Sequence, residues 1–244
     1  MSDSDTDRIR WKRIVAESIA IVASILIAFA LDAWWDGRSE RAQETALLTA
    51  LEEDFSGAAE GFEIAKTGHI TEVQSSKELI DYGESGQIPV NLRSRIDTLV
   101  SAQFSRRIFD PPMGTVQSIL GSGRIDLITN PELITELTRW SSAVEALQRT
   151  ELDSRRHFND YVFPFLANRL DLKDLDKGFP AFVDYPWEQG PADAYRIVLD
   201  QEFQNLIYMR WVLLQNVVTE FLPPVEDGLT RMQTLLEEEL ARRR

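Results

Sequence analysis

His69 and His157 are the only histidines of the chain. His157 stands with Asp153 and Asp160 at helical spacing, and three such side chains on one helix face offer the nitrogen and oxygen donors of a metal site. The competing reading is a solvated face with an i,i+4 pair, and that reading is preferred. Asp171, Asp174 and Asp176 before Gly178 hint at calcium, which takes carboxylate oxygens. They miss the EF-hand spacing and lack its closing glutamate. Gly121-Ser122-Gly123 has neither the Gly-Lys-Ser/Thr ending of a phosphate loop nor the Gly-x-Ser-x-Gly frame of a nucleophile elbow. It reads as a turn. No Ser/His/Asp arrangement is identifiable by spacing. The expectation is a protein that is not an enzyme, with no catalytic residue, no cofactor and no metal.

Two other groups of residues carry chemistry of a different kind. Phe179, Phe182, Tyr185 and Trp187 share a short stretch with Pro180 and Pro186. Aromatics dominate binding hot spots, so this stiff loop is a candidate partner surface. The alternative, which is favoured, folds the rings over the end of a helical bundle. Glu17 and Asp32 lie inside the run Ile14 to Trp35, which is otherwise apolar. At ~22 residues that run fits a bilayer span. Trp11 precedes it, and Trp34 and Trp35 close it. They stand ~34 Å apart along a helix, the spacing of interfacial anchors on both faces of a membrane. A carboxylate within a span is costly and normally pairs or stays protonated. Arg13, four residues before Glu17, can reach it on the same face.

Ala16, Ala20, Ser24, Ala28 and Asp32 recur every four positions. Small side chains at that spacing let helices approach closely in lipid, so Ala20, Ser24 and Ala28 are the candidate packing positions. The alternative is plain alanine composition. Two rivals to the anchor are a cleaved signal peptide, since Ala28-Phe29-Ala30 spells the small-x-small pattern, and a buried soluble helix. Glu17 interrupts the apolar start expected of a signal peptide, and the pattern runs on past that site. The double tryptophan and all-round hydrophobicity count against a soluble core helix. Arg8, Arg10, Lys12 and Arg13 precede the span, while Arg38 and Arg41 follow it closely. This bias places residues 1–13 in the cytoplasm, 14–35 in the inner membrane and 36–244 in the periplasm.

The 244 residues carry 26 Lys+Arg against 40 Asp+Glu, a net charge of −14, and no cysteine. The acidity argues against a nucleic-acid partner, which requires a basic face. The absence of cysteine excludes a disulfide framework and a thiolate metal site. Hydrophobic residues make up 43% and aromatics 9%, the composition of a folded chain.

After the anchor the pattern is helical throughout. Leu48, Leu51, Phe55, Ala58, Phe62 and Ala65 alternate steps of three and four, a heptad seam that continues the membrane helix. His69, Glu72 and Ser76 then fall on the seam. Apolar positions move to Ile70, Val73 and Ile80, which suggests the drift of an ordinary helix. Helices are expected over about 40–80, 131–169, 199–222 and 225–243. Asn130-Pro131-Glu132 marks the clearest start, and Pro223-Pro224 should bend or end the third of these. Leu206 to Val218 is too short to cross a membrane and carries Arg210, Gln215 and Asn216. The fold class is all-α: one transmembrane helix continuing into an extracytoplasmic helical bundle.

The anchor Glu17 to Glu44, ESIAIVASILIAFALDAWWDGRSERAQE, resembles a family of uncharacterised single-pass bacterial membrane proteins. Their N-termini read as a glutamate, an aliphatic span ending in Ile-Leu-Ile-Ala, then Asp/Asn-x-Trp and a charged helix. A second similar patch runs from Ser122 to Asn130, followed by Leu133 and Leu137. The resemblance implies a membrane anchor with a helical outer domain and carries no known activity. The functional expectation is a membrane-anchored interaction or scaffold protein, or an accessory subunit of a larger membrane assembly. Its partners would be lipid, other membrane subunits or a second copy of itself. The alternative is a ligand-sensing bundle. With ~13 residues inside, such a sensor would signal through a partner.

Overall fold

A computed structural model describes residues 3–105, 107–121, 124–175 and 192–243, with the side chains of the first helix from Glu17 onward. The described residues are all-helical, with no strand among them. The helices are α1 (Asp3–Ser85), α2 (Arg93–Ala102), α3 (Gly114–Gly121), α4 (Pro131–His157) and α5 (Phe163–Ala167). The short α6 (Leu172–Leu175) and α7 (Tyr195–Val198) precede α8 (Gln201–Asn216) and α9 (Leu222–Ala241).

Helix α1 is one unbroken rod that changes character along its length. Residues 17–36 are all exposed. Ile19, Ile25, Phe29, Leu31, Trp34 and Trp35 are among the apolar side chains left bare there. From Glu44 the same helix buries one face. Glu44, Leu48, Leu51, Phe55, Ala58, Phe62, Ala65, His69, Glu72, Ser76 and Leu79 are all buried and keep strict alternation of three and four. The drift expected after Ala65 does not occur. Ile70, Val73 and Ile80 are only half-buried, whereas the polar positions hold the seam. The seam is therefore a regular heptad that changes chemistry without changing register.

Four columns form the bundle, and contacts along α1 give their directions. The connection from α1 to α4 descends beside α1: Arg95 bonds Glu78 at 2.7 Å, Phe109 packs edge-on to Phe62 at 5.5 Å, and Thr129 N–H donates to Glu44 at 2.7 Å. Asp110-Pro111-Pro112 breaks this column into α2 and α3, since neither proline can donate a helical bond. Helix α4 then ascends parallel to α1, and α8–α9 descends, bringing Arg243 to Glu44 at 2.7 Å. The arrangement is up-down-up-down.

Proline does not end the third and fourth columns. Each carries a π-helical segment, Phe158–Val162 and Val217–Phe221, with Pro164 or Pro223-Pro224 following after one intervening residue. The N–H of Phe163 reaches back five residues to Phe158 O, and that of Leu222 to Val217 O. The wider turn relieves the clash of a proline ring with the preceding carbonyl and lets the helix continue. Pro223-Pro224, expected to bend or end the helix, does not end it: the π segment passes directly into α9. Starts are conventional. Asn130 Oδ1 accepts from Glu132 and Leu133 N–H, and Asp200 Oδ1 accepts from Glu202 and Phe203 N–H.

Two apolar cores result. The lower one joins Leu48 to Ala65, α3, the first part of α4, and α9. Trp140 is its largest fully buried side chain, 4.5 Å from Phe55. A Cβ at position 228 would come within 2.8 Å of the Trp140 ring, so glycine there lets α9 lie close on α4. The upper core joins Leu79, α2, Phe158 to Leu166, and α7–α8.

Candidate functional site

The two cores do not meet as one. Between Ala65 and Leu79 on α1, between Leu147 and Phe158 on α4, and between Ile207 and Leu214 on α8, the inward positions are polar. His69, Glu72, Ser76, Gln103, Glu151, Ser154 and Arg210 are each less than a tenth exposed. They form a belt across the middle of the bundle.

Arg210 is its centre, 1% exposed. Its Nε donates to Gln103 Oε1 at 3.0 Å, one Nη to Glu72 Oε2 at 3.2 Å and Gln103 O at 3.0 Å, and the other Nη to Ser154 O at 3.4 Å. The guanidinium also stacks 5.0 Å from the Phe158 ring. Ser76 Oγ donates to Gln103 Oε1 at 2.9 Å. On the other side, His69 Nε2 stands 2.7 Å from Glu151 Oε1. Both Glu151 oxygens accept the Phe109 N–H, at 3.2 and 3.0 Å. This carboxylate therefore ties α1, the descending column and α4 together. In the belt His69 Nδ1 and Glu72 Oε1 have no close hydrogen-bond partner, although the Ser105 hydroxyl lies near enough to the Glu72 carboxylate to lower its pKa.

Burial raises the pKa of Glu72, and the Arg210 charge opposes that shift without cancelling it. Burial likewise lowers Arg210, against the pull of Glu72. A guanidinium stays protonated in proteins, so the belt holds a permanent cation.

Beside the belt an open cleft of about 650 Å³ lies between α1 and the α2 region. Its walls include Ile64, Gly68, Thr71, Glu72, Thr98 and Arg107. Glu72 and Arg107 also line a void of about 10 Å³ between the cleft and Arg210, smaller than one water needs with room to spare. Arg107 lies flat on α1. A Cβ at position 68 would fall 2.1 Å from its Cδ, so a larger residue there would push this side chain off α1. The cleft thus sets one cation, the carboxylates of Glu63 and Glu72 and several hydroxyls beside an apolar wall.

The residues singled out by spacing lie elsewhere. His157 Nε2 bonds the Leu206 carbonyl oxygen at 3.0 Å, and burial lowers its pKa against that bond. Asp153 pairs with Arg156 at 3.2 Å and Asp171 with Lys173 at 2.6 Å. Among the described residues no group of three His, Cys, Asp or Glu is placed to hold a metal. Gly121 ends α3; Ser122, Gly123, Asp176 and Gly178 lie outside the described residues, as do Phe179, Phe182, Tyr185 and Trp187. Ala20, Ser24, Ala28, Asp32, Trp34 and Trp35 are exposed along α1, with Ser24 Oγ donating to Ala20 O at 2.7 Å. Trp11 lies on α1, and its side chain is outside the described ones.

Spacing missed the belt because its members come from four segments. The signal was present all the same. His69, Glu72 and Ser76 sit on the heptad positions, and Arg210 sits inside an apolar helix.

Comparison of the chain with protein-family models, curated proteins and solved structures finds no match.

Proposed function

We propose that this chain is a membrane-anchored helical interaction protein, acting as a scaffold or accessory subunit of a larger inner-membrane assembly. The observation that carries it is the division of α1. Over residues 17–36 nothing is buried although the sequence is apolar, and the helix then enters the bundle without a break. Among the described residues this is the one helix long and apolar enough to cross a membrane. Exposed apolar surface of this extent requires lipid or another helix to cover it. The basic bias before the span supports a cytoplasmic N-terminus and a periplasmic bundle. The resemblance of the anchor to single-pass bacterial membrane proteins points the same way.

Mass spectrometry of the assembly released by mild detergent tests this reading. Stoichiometric partner subunits, or a second copy, are the expected result. A monomer that remains soluble without detergent would end it. Ser24→Ile adds bulk to the Ala20-Ser24-Ala28 face while keeping the span apolar, and should weaken helix association by on the order of 1 kcal/mol.

A second reading, ligand sensing through a partner, is favoured by one observation, the cleft against the belt.

A further inference from the structure

We infer that the outward face of α8 is the contact through which two anchored copies of this chain associate side by side. The inference deepens the proposed function by naming one partner, a second copy, and rests on the anchor for the parallel arrangement of the copies.

Asn205, Tyr208, Met209, Val212, Asn216 and Thr219 recur at helical spacing and form one outer stripe that starts on α8 and ends in the π segment. Tyr208 and Met209 are 55% and 49% exposed. Val212 is half-buried and the other three are exposed. The Trp211 ring lies 6.0 Å from that of Tyr208. Exposed Tyr161 extends the stripe sideways: it stacks 5.6 Å from His157, whose Nε2 bonds the Leu206 carbonyl. Glu202 and Glu220 stand just beyond the two ends of the stripe. Between them it carries no charge over about four turns. The other long helices differ. Glu53 and Glu60 on α1, Arg139 and Glu145 on α4, and Asp227 and Arg231 on α9 are all exposed. Tyr, Trp and Met without charge, inside a charged rim, is the composition of an interface core.

Lipid does not cover this stripe. Arg210 bonds Glu72 at 3.2 Å, so the stripe stands level with Glu72 on α1. Helix α1 is unbroken, and at 1.5 Å per residue Glu72 lies about 55 Å from Trp35 at the end of the span. That is well clear of the headgroups. The occupant is therefore protein.

A second copy fits it best. Copies anchored in one membrane stand parallel, and each presents the stripe at the same height. A two-fold contact sets a patch against itself, so every charge on it would meet its own like. A stripe without charge meets that requirement in a chain whose net charge is −14. A different partner imposes no such restriction and could recognise so acidic a chain through complementary charge. One helix face is small beside the roughly 800 Å² per partner of a stable soluble complex. The contact thus depends on the anchor to hold copies at high local concentration.

The test uses the full chain in its native membrane. The chain has no cysteine, so each substitution introduces a single thiol. Asn205→Cys, Met209→Cys and Val212→Cys are made one at a time, with Glu60→Cys and Glu145→Cys as controls on other columns. Mild oxidation joins only thiols that come within disulfide reach. At least one of the three α8 variants should yield a cross-linked dimer, and the controls should not. Adding Tyr208→Glu sets like charges against each other and should cut the cross-linked fraction about tenfold or more, with helicity and melting temperature of the purified chain unchanged. Asn216→Glu replaces it if that variant fails to fold. Cross-linking no greater than in the controls, cross-links only to a chain of another mass, or cross-linking indifferent to the added glutamate would overturn the inference. An alkaline wash of the membranes reads the anchor separately. A chain that washes off ends the anchor reading, whereas a chain that stays and does not cross-link ends this inference alone.

Discussion

Glu44 and Glu72 occupy the same seam of the same helix, four heptads apart, and both are buried. Their environments differ in opposite directions. Glu44 closes the end of the bundle nearest the anchor, where Thr129 N–H and Oγ1 donate at 2.7 and 2.8 Å and Arg243 at 2.7 Å. Burial alone would raise its pKa, but Arg243 and the Thr129 donors together bring it below the ordinary value. Glu72 is buried more deeply, and the Arg210 charge, the Ser105 hydroxyl and the more distant His69 and Arg107 charges do not offset that burial, so its pKa is raised. Residue type and register are the same, so the difference lies in how many donors the surroundings bring. The lower end of the seam is a clamp of close donors, and in the middle burial outweighs the partners.

The largest effect should come from removing the cation that Glu72 depends on. Arg210→Met leaves a buried carboxylate, Gln103 and Ser154 O without their donor. The expected loss is about 3–5 kcal/mol, as for other broken buried pairs. Pairing it with Glu72→Met should lose less than the single change, because two apolar side chains no longer strand a charge. Denaturant unfolding of both variants in detergent measures this. A single variant within about 0.5 kcal/mol of the parent would mean that the belt does not hold an ion pair of consequence.

Glu44→Gln is the matching change at the clamp. It keeps a side-chain carbonyl oxygen for Thr129 and removes the charge facing Arg243. A charge-assisted bond is lost and no charge is left stranded in the core, so about 1–2 kcal/mol is expected. Equal losses for Glu44→Gln and Arg210→Met would erase the distinction between the two regions.

Acid titration sharpens the same contrast through its sign. Both carboxylates start from an ordinary value of 4.5 in the unfolded chain. The folded pKa of Glu44 is lowered, so its contribution is present above that value and is lost as pH falls through the folded pKa. The folded pKa of Glu72 is raised, so its contribution is present below that value and is lost as pH rises through the folded pKa. Stability measured from about pH 3 to about pH 8 should therefore separate the variants. Glu44→Gln removes the fall in stability on the acid side of the profile, and Glu72→Gln removes the fall toward neutral pH. The same side flattened in both would refute the opposed shifts.

The helical class, the seam from Leu48 to Ala65 and the start at Asn130 were legible because each is local, written in spacing of three and four or in a capping residue. Two features were not. The passage through Pro223-Pro224 depends on a π-turn laid down five residues earlier, and no rule of proline propensity contains that. The belt was half visible. His69, Glu72 and Ser76 stand on the seam, but by spacing alone they read as helical drift, since polar residues at core positions ordinarily signal a lost register. Gln103, Glu151, Ser154 and Arg210 come from three other segments, and only the packing of α1 against α4 and α8 brings them together. Arg107 over Gly68 left no trace in spacing, because a mid-helix glycine alone does not say what lies on it.

The smallest effect belongs to an ion pair that resembles both buried ones in composition and neither in setting. Arg231 on α9 meets Glu132 at the start of α4 and ties those two columns together, whereas Arg243 at the end of α9 reaches Glu44 on α1. Both side chains are about half exposed, at 51% and 57%. Water screens the pair in the folded chain and solvates each partner in the unfolded one, and holding two long side chains in one geometry costs entropy. Arg231→Gln should therefore change stability by less than about 0.5 kcal/mol. Denaturant midpoints at low and high salt give the decisive reading. If Arg231→Gln costs as much as Glu44→Gln, then proximity of opposite charges governs this bundle. If it costs nothing while Glu44→Gln and Arg210→Met cost progressively more, the ordering follows burial and the number of donors lost, the same two quantities that set the pKa of Glu44 and Glu72 in opposite directions.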